Sequence, residues 1–246
     1  MTPRQAKILT SIVQRYIQTA EPVSSKLLEA SDFSQISSAT IRNEMNELEH
    51  QGYLKQLHTS GGRVPTDKAY RYYVDNLLGT GDITLPTAMV RRIKEVIGKA
   101  EDEPRELNKT VGDLVRDLSD NMVITGIVEE DNFYKTGLTS LFESPEFKEL
   151  DRVFNIARMF DEFEHMFRRI EREIIQPIES DFKIFIGSEN IVDGAKGETM
   201  IMAKYHLPGH YTGSITIIGP TRMDYEKSLG VVKEVVKEVN SKTKKK

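Results

Sequence analysis

Residues 37–65 read SSATIRNEMNELEHQGYLKQLHTSGGRVP. Ser37-Ser38 is a helix cap, because a hydroxyl at that place accepts a hydrogen bond from a free amide of the first turn. Ala39, Ile41, Met45 and Leu48 are expected to form the buried stripe. Gly52 ends the helix, since glycine tolerates the left-handed backbone a terminator needs. This assignment turns Ser38, Thr40, Arg42, Asn43 and Asn46 outward. Residues 53–57 and Arg63-Val64 then read as two strands around a tip, His58-Thr59-Ser60-Gly61-Gly62.

Upstream, Ile8, Leu9, Ile12, Val13, Tyr16 and Ile17 give an amphipathic helix over Pro3–Thr19, with Pro3 in the first turn, where no N–H is needed. Glu21-Pro22 stops it. Ser24 or Ser25 caps a short second helix through Ala30, with Leu27 and Leu28 expected inside. Three helices followed by a glycine-rich hairpin make a winged helix-turn-helix, in which the third helix enters the major groove and the hairpin tip reaches backbone or minor groove. Arginine reads guanine, asparagine reads adenine, and threonine meets a thymine methyl. Ser38, Thr40, Arg42 and Asn43 therefore form a candidate base-reading set, and the same face also reads as an ordinary solvated surface. In the wing, His58 is either a phosphate contact or a loop residue, Thr59 and Ser60 complete the tip, and Arg63 beside two glycines is placed to approach a duplex. Winged helices also dock proteins, so the shape alone does not decide function.

Charge is distributed unevenly along the chain of 246 residues, whose formal net charge is −4. Residues 1–78 carry nine basic and eight acidic side chains, and the remainder carries 25 basic and 30 acidic. The local excess is Lys55, Arg63, Lys68 and Arg71 against Asp67 alone, which is where an anion would land. No cysteine is present, which excludes disulfides, thiolate metal sites and cysteine nucleophiles. No leader-like or membrane-spanning apolar run is found, so a soluble, cytoplasmic protein is expected.

Residues 67–78 continue as a helix with Tyr70, Tyr73, Val74 and Leu77 on one side, and 79–85 is the expected linker between domains 1–78 and 86–246. Two amphipathic helices follow (86–100 and 107–118), serving as core or as oligomer contacts. A buried strand is expected at 122–128, and at 145–175 a long helix whose Phe147, Leu150, Phe154, Ile156, Met159, Phe160, Phe163, Phe167 and Ile170 are expected to be buried against a sheet. Three further strands lie near 182–187, 199–205 and 214–218; Gly219-Pro220-Thr221 ends the last of them and opens a final helix through Val239, with Pro220 in its first turn. The Lys-rich end, 242–246, reads as a solvated tail. The fold class is α+β. Arg222, after Gly219-Pro220-Thr221, either meets an anion or pairs with a carboxylate, such as Asp224 or one on a neighbouring strand. His206 and His210 flank Leu207-Pro208-Gly209 and lack the same-face spacing of a zinc pair. No nucleophile elbow, Walker loop or dinucleotide fingerprint occurs. No enzyme, metal or cofactor is expected.

Glu21-Pro22-Val23-Ser24-Ser25, residues 37–45, Gly52-Tyr53-Leu54 and the run from His58 to Arg71 together resemble the HrcA family of heat-inducible transcription repressors. Ser144-Pro145-Glu146-Phe147, residues 186–190 and residues 218–225 resemble that family's C-terminal domain. The resemblance implies a GAF-like domain with an antiparallel sheet, and repression of chaperone operons through an inverted-repeat operator on double-stranded DNA. It also implies release on heating and a link to a GroEL-type chaperonin. An inverted repeat calls for a homodimer, two recognition helices meeting equivalent half-sites. Family members usually carry a longer central segment between the counterparts of Val128 and Tyr134, which this chain lacks. The alternative from another class is a ligand-binding GAF-like regulator that uses the winged helix to dock a protein.

Overall fold

The computed structural model describes residues 1–57, 62–81, 83–130, 132–170 and 182–244, with the backbone alone over 162–169 and at Asp193. Two compact units, Met1–Asp82 and Ile83–Lys246, divide the chain. Among the described residues no helix is long and apolar enough to cross a membrane.

In the first unit, α1 (Pro3–Thr19) opens with a reciprocal cap: Thr2 Oγ1 accepts from the Gln5 amide at 3.2 Å and Gln5 Oε1 accepts from the Thr2 amide at 2.8 Å. Its inward residues Ile8, Leu9, Ile12 and Val13 are fully buried. Ser24 caps α2 (Ser25–Ser31), which buries Leu28; Leu27, expected inside, is instead 45% exposed. Seven residues make only two turns, which is too short to bury two adjacent leucines against one neighbour. Ser37 caps α3 (Ser38–His50), whose inward side is Ile41, Met45 and Leu48. Gly52 follows at φ +77°, as a terminator requires.

The wing is β1 (Leu54–Gln56) paired antiparallel with β2 (Arg63–Pro65). Val23 adds a third rung: its N–H donates to the Arg63 carbonyl at 2.9 Å, and the Arg63 N–H donates back at 2.8 Å. The base of the wing is thereby stitched to the segment between α1 and α2. α4 (Asp67–Thr80) closes the unit with Ala69, Tyr70, Tyr73 and Val74 buried.

The second unit begins with α5 (Thr87–Lys99) and α6 (Pro104–Ser119). It continues with β3 (Met122–Ile127), β4 (Asn132–Thr136), α7 (Leu138–Phe142) and α8 (Leu150–Ile170). β5 (Lys183–Ile186), β6 (Glu198–His206), β7 (Thr212–Pro220) and α9 (Tyr225–Lys244) complete it. The five strands form one antiparallel sheet in the order β4-β3-β7-β6-β5, so the unit is α+β with an antiparallel sheet, as expected. Met122, Ile124, Met200, Met202 and Ile218 point to the face covered by α7 and α8. On the other face Tyr205 donates its hydroxyl to Asn108 of α6, and the hydroxyls of Thr199 and Tyr225 of α9 share a 2.9 Å hydrogen bond.

Five further details depart from the sequence reading. β4 was not foreseen. The helix expected from 145 begins with a 3-10 turn, Pro145–Lys148, and becomes α-helical only at Leu150. Its expected end at 175 lies outside the described residues, as do the side chains of Phe163 and Phe167. Phe154 and Leu150, read as buried, are 65% and 71% exposed. Pro220 ends β7 rather than starting a helix; Asp224 caps α9 by accepting from the Lys227 amide at 3.0 Å. Finally, α9 runs on through the expected tail to Lys244. Lys242 is held there by Asp102 at 3.3 Å and by the Ala100 carbonyl at 3.0 Å, a pairing that outweighs fraying.

Candidate nucleic-acid interface

A helix can read DNA only through side chains that its own domain leaves free. On α3 the exposed positions are Ala39, Arg42, Asn43, Asn46, Glu47 and His50. All but Glu47 fall in one stripe opposite the buried side. Arg42 and Asn43 have no hydrogen-bond or ion-pair partner among the described residues. Two of the helix's three carboxylates are neutralised from within the unit, Glu44 by Arg4 at 3.3 Å and Glu49 by Arg63 at 2.7 Å. What α3 presents outward is therefore one cation with amide and imidazole groups around it.

Ser38 and Thr40 are not part of that stripe. Ser38 is half-buried; its Oγ lies 2.9 Å from Ser25 Oγ, and its N–H donates to Glu29 Oε1 at 3.0 Å. Thr40 belongs to the cap, its N–H donating to Ser37 Oγ at 3.3 Å and its hydroxyl 3.0 Å from the same oxygen. Both stand at the helix N-terminus, where backbone N–H groups favour an anion. Ala39, assigned to the core, is exposed instead; Asn46 and His50 are further residues of the exposed face.

The wing tip residues His58, Thr59 and Ser60 lie outside the described residues. Arg63 is described, and its guanidinium is engaged: Nε donates to Glu49 Oε2 at 2.7 Å and Nη2 to Asn46 Oδ1 at 2.9 Å. Gly62 has a structural reason to be glycine, because a Cβ there would stand 2.5 Å from the Val23 carbonyl oxygen. The basic cluster is likewise partly committed. Lys68 donates to the Gln51 carbonyl at the end of α3 at 2.9 Å and stacks on the Tyr53 ring, and Arg71 pairs with Asp75. Lys26 and Lys55 remain exposed with no partner among the described residues.

In the second unit Arg222 pairs with Glu146, Nη2 to Oε2 at 3.2 Å, so the carboxylate alternative holds with a partner distant in sequence. His206 ends β6 and His210 ends a 3-10 turn, on no common helix face. Among the described residues no group of three or more His, Asp or Glu is placed to hold a metal. Glu198, at the start of β6, is buried; Arg152 donates to its Oε1 at 2.7 Å while Oε2 has no partner among the described residues. Burial pushes this carboxyl up to about 7, against the pull of Arg152.

Two family models match the chain. Residues 1–76 match the winged helix-turn-helix transcription repressor, HrcA DNA-binding, and residues 84–229 the HrcA protein C terminal domain. The heat-inducible transcription repressor HrcA of Thermoanaerobacter sp. (strain X514) is 27% identical over 334 aligned positions, covering 97% of this chain and 96% of the relative. That of Brevibacillus brevis is 29% identical, covering 94% and 95%. An alignment of 334 positions exceeds this chain's 246 residues, so that relative carries sequence with no counterpart here. A crystal structure of a hypothetical protein shares the fold with a TM-score of 0.78 at 19% identity, covering 98% of both chains. Two matched domains in the same order, over a winged helix and an antiparallel α+β unit, make the chain a member of the HrcA family of heat-inducible transcription repressors.

Proposed function

We propose that the chain represses chaperone genes as a homodimer that sets two α3 helices into the major groove of an inverted-repeat operator. The observation that carries this reading is the outward stripe of α3, where Arg42 and Asn43 stand free among the described residues while two of the helix's three carboxylates, Glu44 and Glu49, are paired with arginines. Arg42 is the base reader for guanine and Asn43 for adenine. Ser38 and Thr40, at the helix N-terminus, meet adjacent phosphates. His58, Thr59 and Ser60 carry the wing's contact with the backbone or minor groove, and Arg63 anchors that wing to α3. Two heads joined in a dimer gain effective concentration, which one winged domain lacks. Heating releases the operator by separating the dimer, and a GroEL-type chaperonin that refolds the chain resets repression.

The test is binding to duplexes recovered by the wild-type chain from a randomised-core library. An inverted repeat should emerge, and binding should weaken steeply with salt. Arg42→Ala should cost about 1–3 kcal/mol and relax preference at one position per half-site. Recovery of no preferred sequence, or unchanged preference in Arg42→Ala, overturns the contact assignment.

A further inference from the structure

Arg63 stands on β2, yet its side chain works on α3. Its backbone is held on both sides, by Gln56 across the hairpin and by the two hydrogen bonds to Val23. The side chain is only 14% exposed, and its fork spans two residues one helical turn apart, Glu49 through Nε and Asn46 through Nη2. A guanidinium has donors only, so the atom of the Asn46 amide that faces Nη2 must be the oxygen. The carboxylate of Glu49 fixes the plane of the fork, and the fork fixes which way the Asn46 amide is turned. Asn46 is itself exposed on the reading face.

We propose that Arg63 is a positioning residue that sets the base preference of Asn46, by holding its carbonyl inward so that its NH2 group meets the DNA. This rests on the reading of α3 as the recognition helix. A freely turning asparagine reads adenine with oxygen and nitrogen together. One held by its oxygen offers two N–H donors, and donors select base acceptors: guanine O6 or N7, adenine N7, or thymine O4. Cytosine shows a donor, N4, in the major groove and is rejected. The wing thereby contributes to sequence preference from its base, without a base contact of its own. With its charge neutralised by Glu49, Arg63 adds little to phosphate binding.

The experiment uses the full chain and a duplex that the wild type recovers from a randomised-core library, with every single base-pair change in one half-site measured at fixed salt. Asn46→Ala should lose discrimination at one base pair by about tenfold or more. Arg63→Lys keeps the charge but cannot span both partners, and should flatten that same base pair while leaving the salt slope unchanged. The double variant should be no flatter there than Asn46→Ala. Asn46→Asp leaves α3 intact, still accepts from Arg63, and presents an oxygen outward, so preference at that base pair should move toward cytosine or adenine N4 or N6 donors. Unchanged discrimination in Arg63→Lys overturns the proposal. So does an Arg63→Ala variant whose salt slope falls by about 0.9 and is restored by lysine, since that is a phosphate contact. A wild-type chain that recovers no sequence removes the recognition helix itself, and is told apart because every other outcome begins from a recovered duplex.

Discussion

Gly62 and Arg42 separate what holds the winged domain together from what it is proposed to read with. A Cβ at Gly62 would meet the Val23 carbonyl oxygen at 2.5 Å and the Pro22 carbonyl carbon at 2.7 Å, both backbone atoms that side-chain rotation cannot move aside. Gly62→Ala should therefore destabilise the first unit by about 1–3 kcal/mol in urea unfolding, with DNA affinity lost through the displaced wing. Arg42→Ala removes an exposed group with no partner among the described residues, and its stability should stay within about 0.5 kcal/mol of wild type while DNA binding falls. A variant that unfolds Arg42→Ala would show the guanidinium to be structural. Residue chemistry marked Arg42 and Asn43 as candidate readers, and the fold leaves both exposed. Their neighbours were less well placed, and helical geometry explains why: at about 100° per residue, Ala39 lies about 160° from Ile41, and Ser38 only about 60° from it. Composition drew alanine inward and serine outward, and periodicity alone would have reversed both. The engagement of Arg63 could not be read at all, because Glu49 and Asn46 are 14 and 17 positions away and become neighbours only when the hairpin folds back.

The ends of elements show the same division between local and distant causes. Ser37 accepts from the Thr40 amide and begins α3 at the place where hydroxyl chemistry puts a cap. Ser37→Ala should cost about 1 kcal/mol of first-unit stability by urea unfolding, and Ser37→Gly only a few tenths; equal stability of all three would mean that tertiary packing alone fixes the helix start. β3 was legible because it is buried on both faces at the middle of the sheet and reads as an apolar run. β4 was not, because it is an edge strand whose residues are all half-buried, so no alternation marks it. The start of β6 was also hidden, since Glu198 is a charged residue in a buried place. Its carboxyl sits at about 7 in the fold against an ordinary 4.5, burial being the main cause, with Arg152 opposing and Glu146 assisting. A raised carboxyl means the folded chain holds its proton more tightly than the unfolded chain does. Its contribution is then full below about 4.5 and is lost as pH climbs through about 7, by a total on the order of 3 kcal/mol. Glu198→Gln keeps an oxygen for Arg152 and has no proton to lose. The stability difference between the two proteins, followed by urea unfolding from pH 4 to 8, should move in favour of the glutamine variant as pH rises; a constant difference would mean that Glu198 titrates normally.

Across the whole molecule, the proposed dimer raises the question of what holds two winged units together. Family resemblance placed extra sequence between the counterparts of Val128 and Tyr134, and here β3 and β4 are joined directly by residues 128–131. A dimer built on such an insertion has no material in this chain, so the proposed contact falls to surfaces the remaining elements provide. The second unit exposes Leu150 and Phe154 four residues apart on one side of α8, an apolar pair whose burial would offset part of the cost of association. Charge there is easily accommodated in the monomer, because both side chains are more than half in solvent. The double variant Leu150→Glu, Phe154→Glu should keep its fold by circular dichroism, sediment as a monomer, and bind an inverted-repeat duplex about 100- to 10,000-fold more weakly, the factor by which tethering raises avidity. In the proposed mechanism the same linkage would make heat a release signal: a dimer that dissociates over the heat-shock range would lose that factor at once, while each winged unit stays folded. Sedimentation equilibrium and duplex binding, followed together with temperature, should fall in parallel. A dimer that persists where binding has gone overturns dissociation as the release step and moves heat sensing to the winged unit itself.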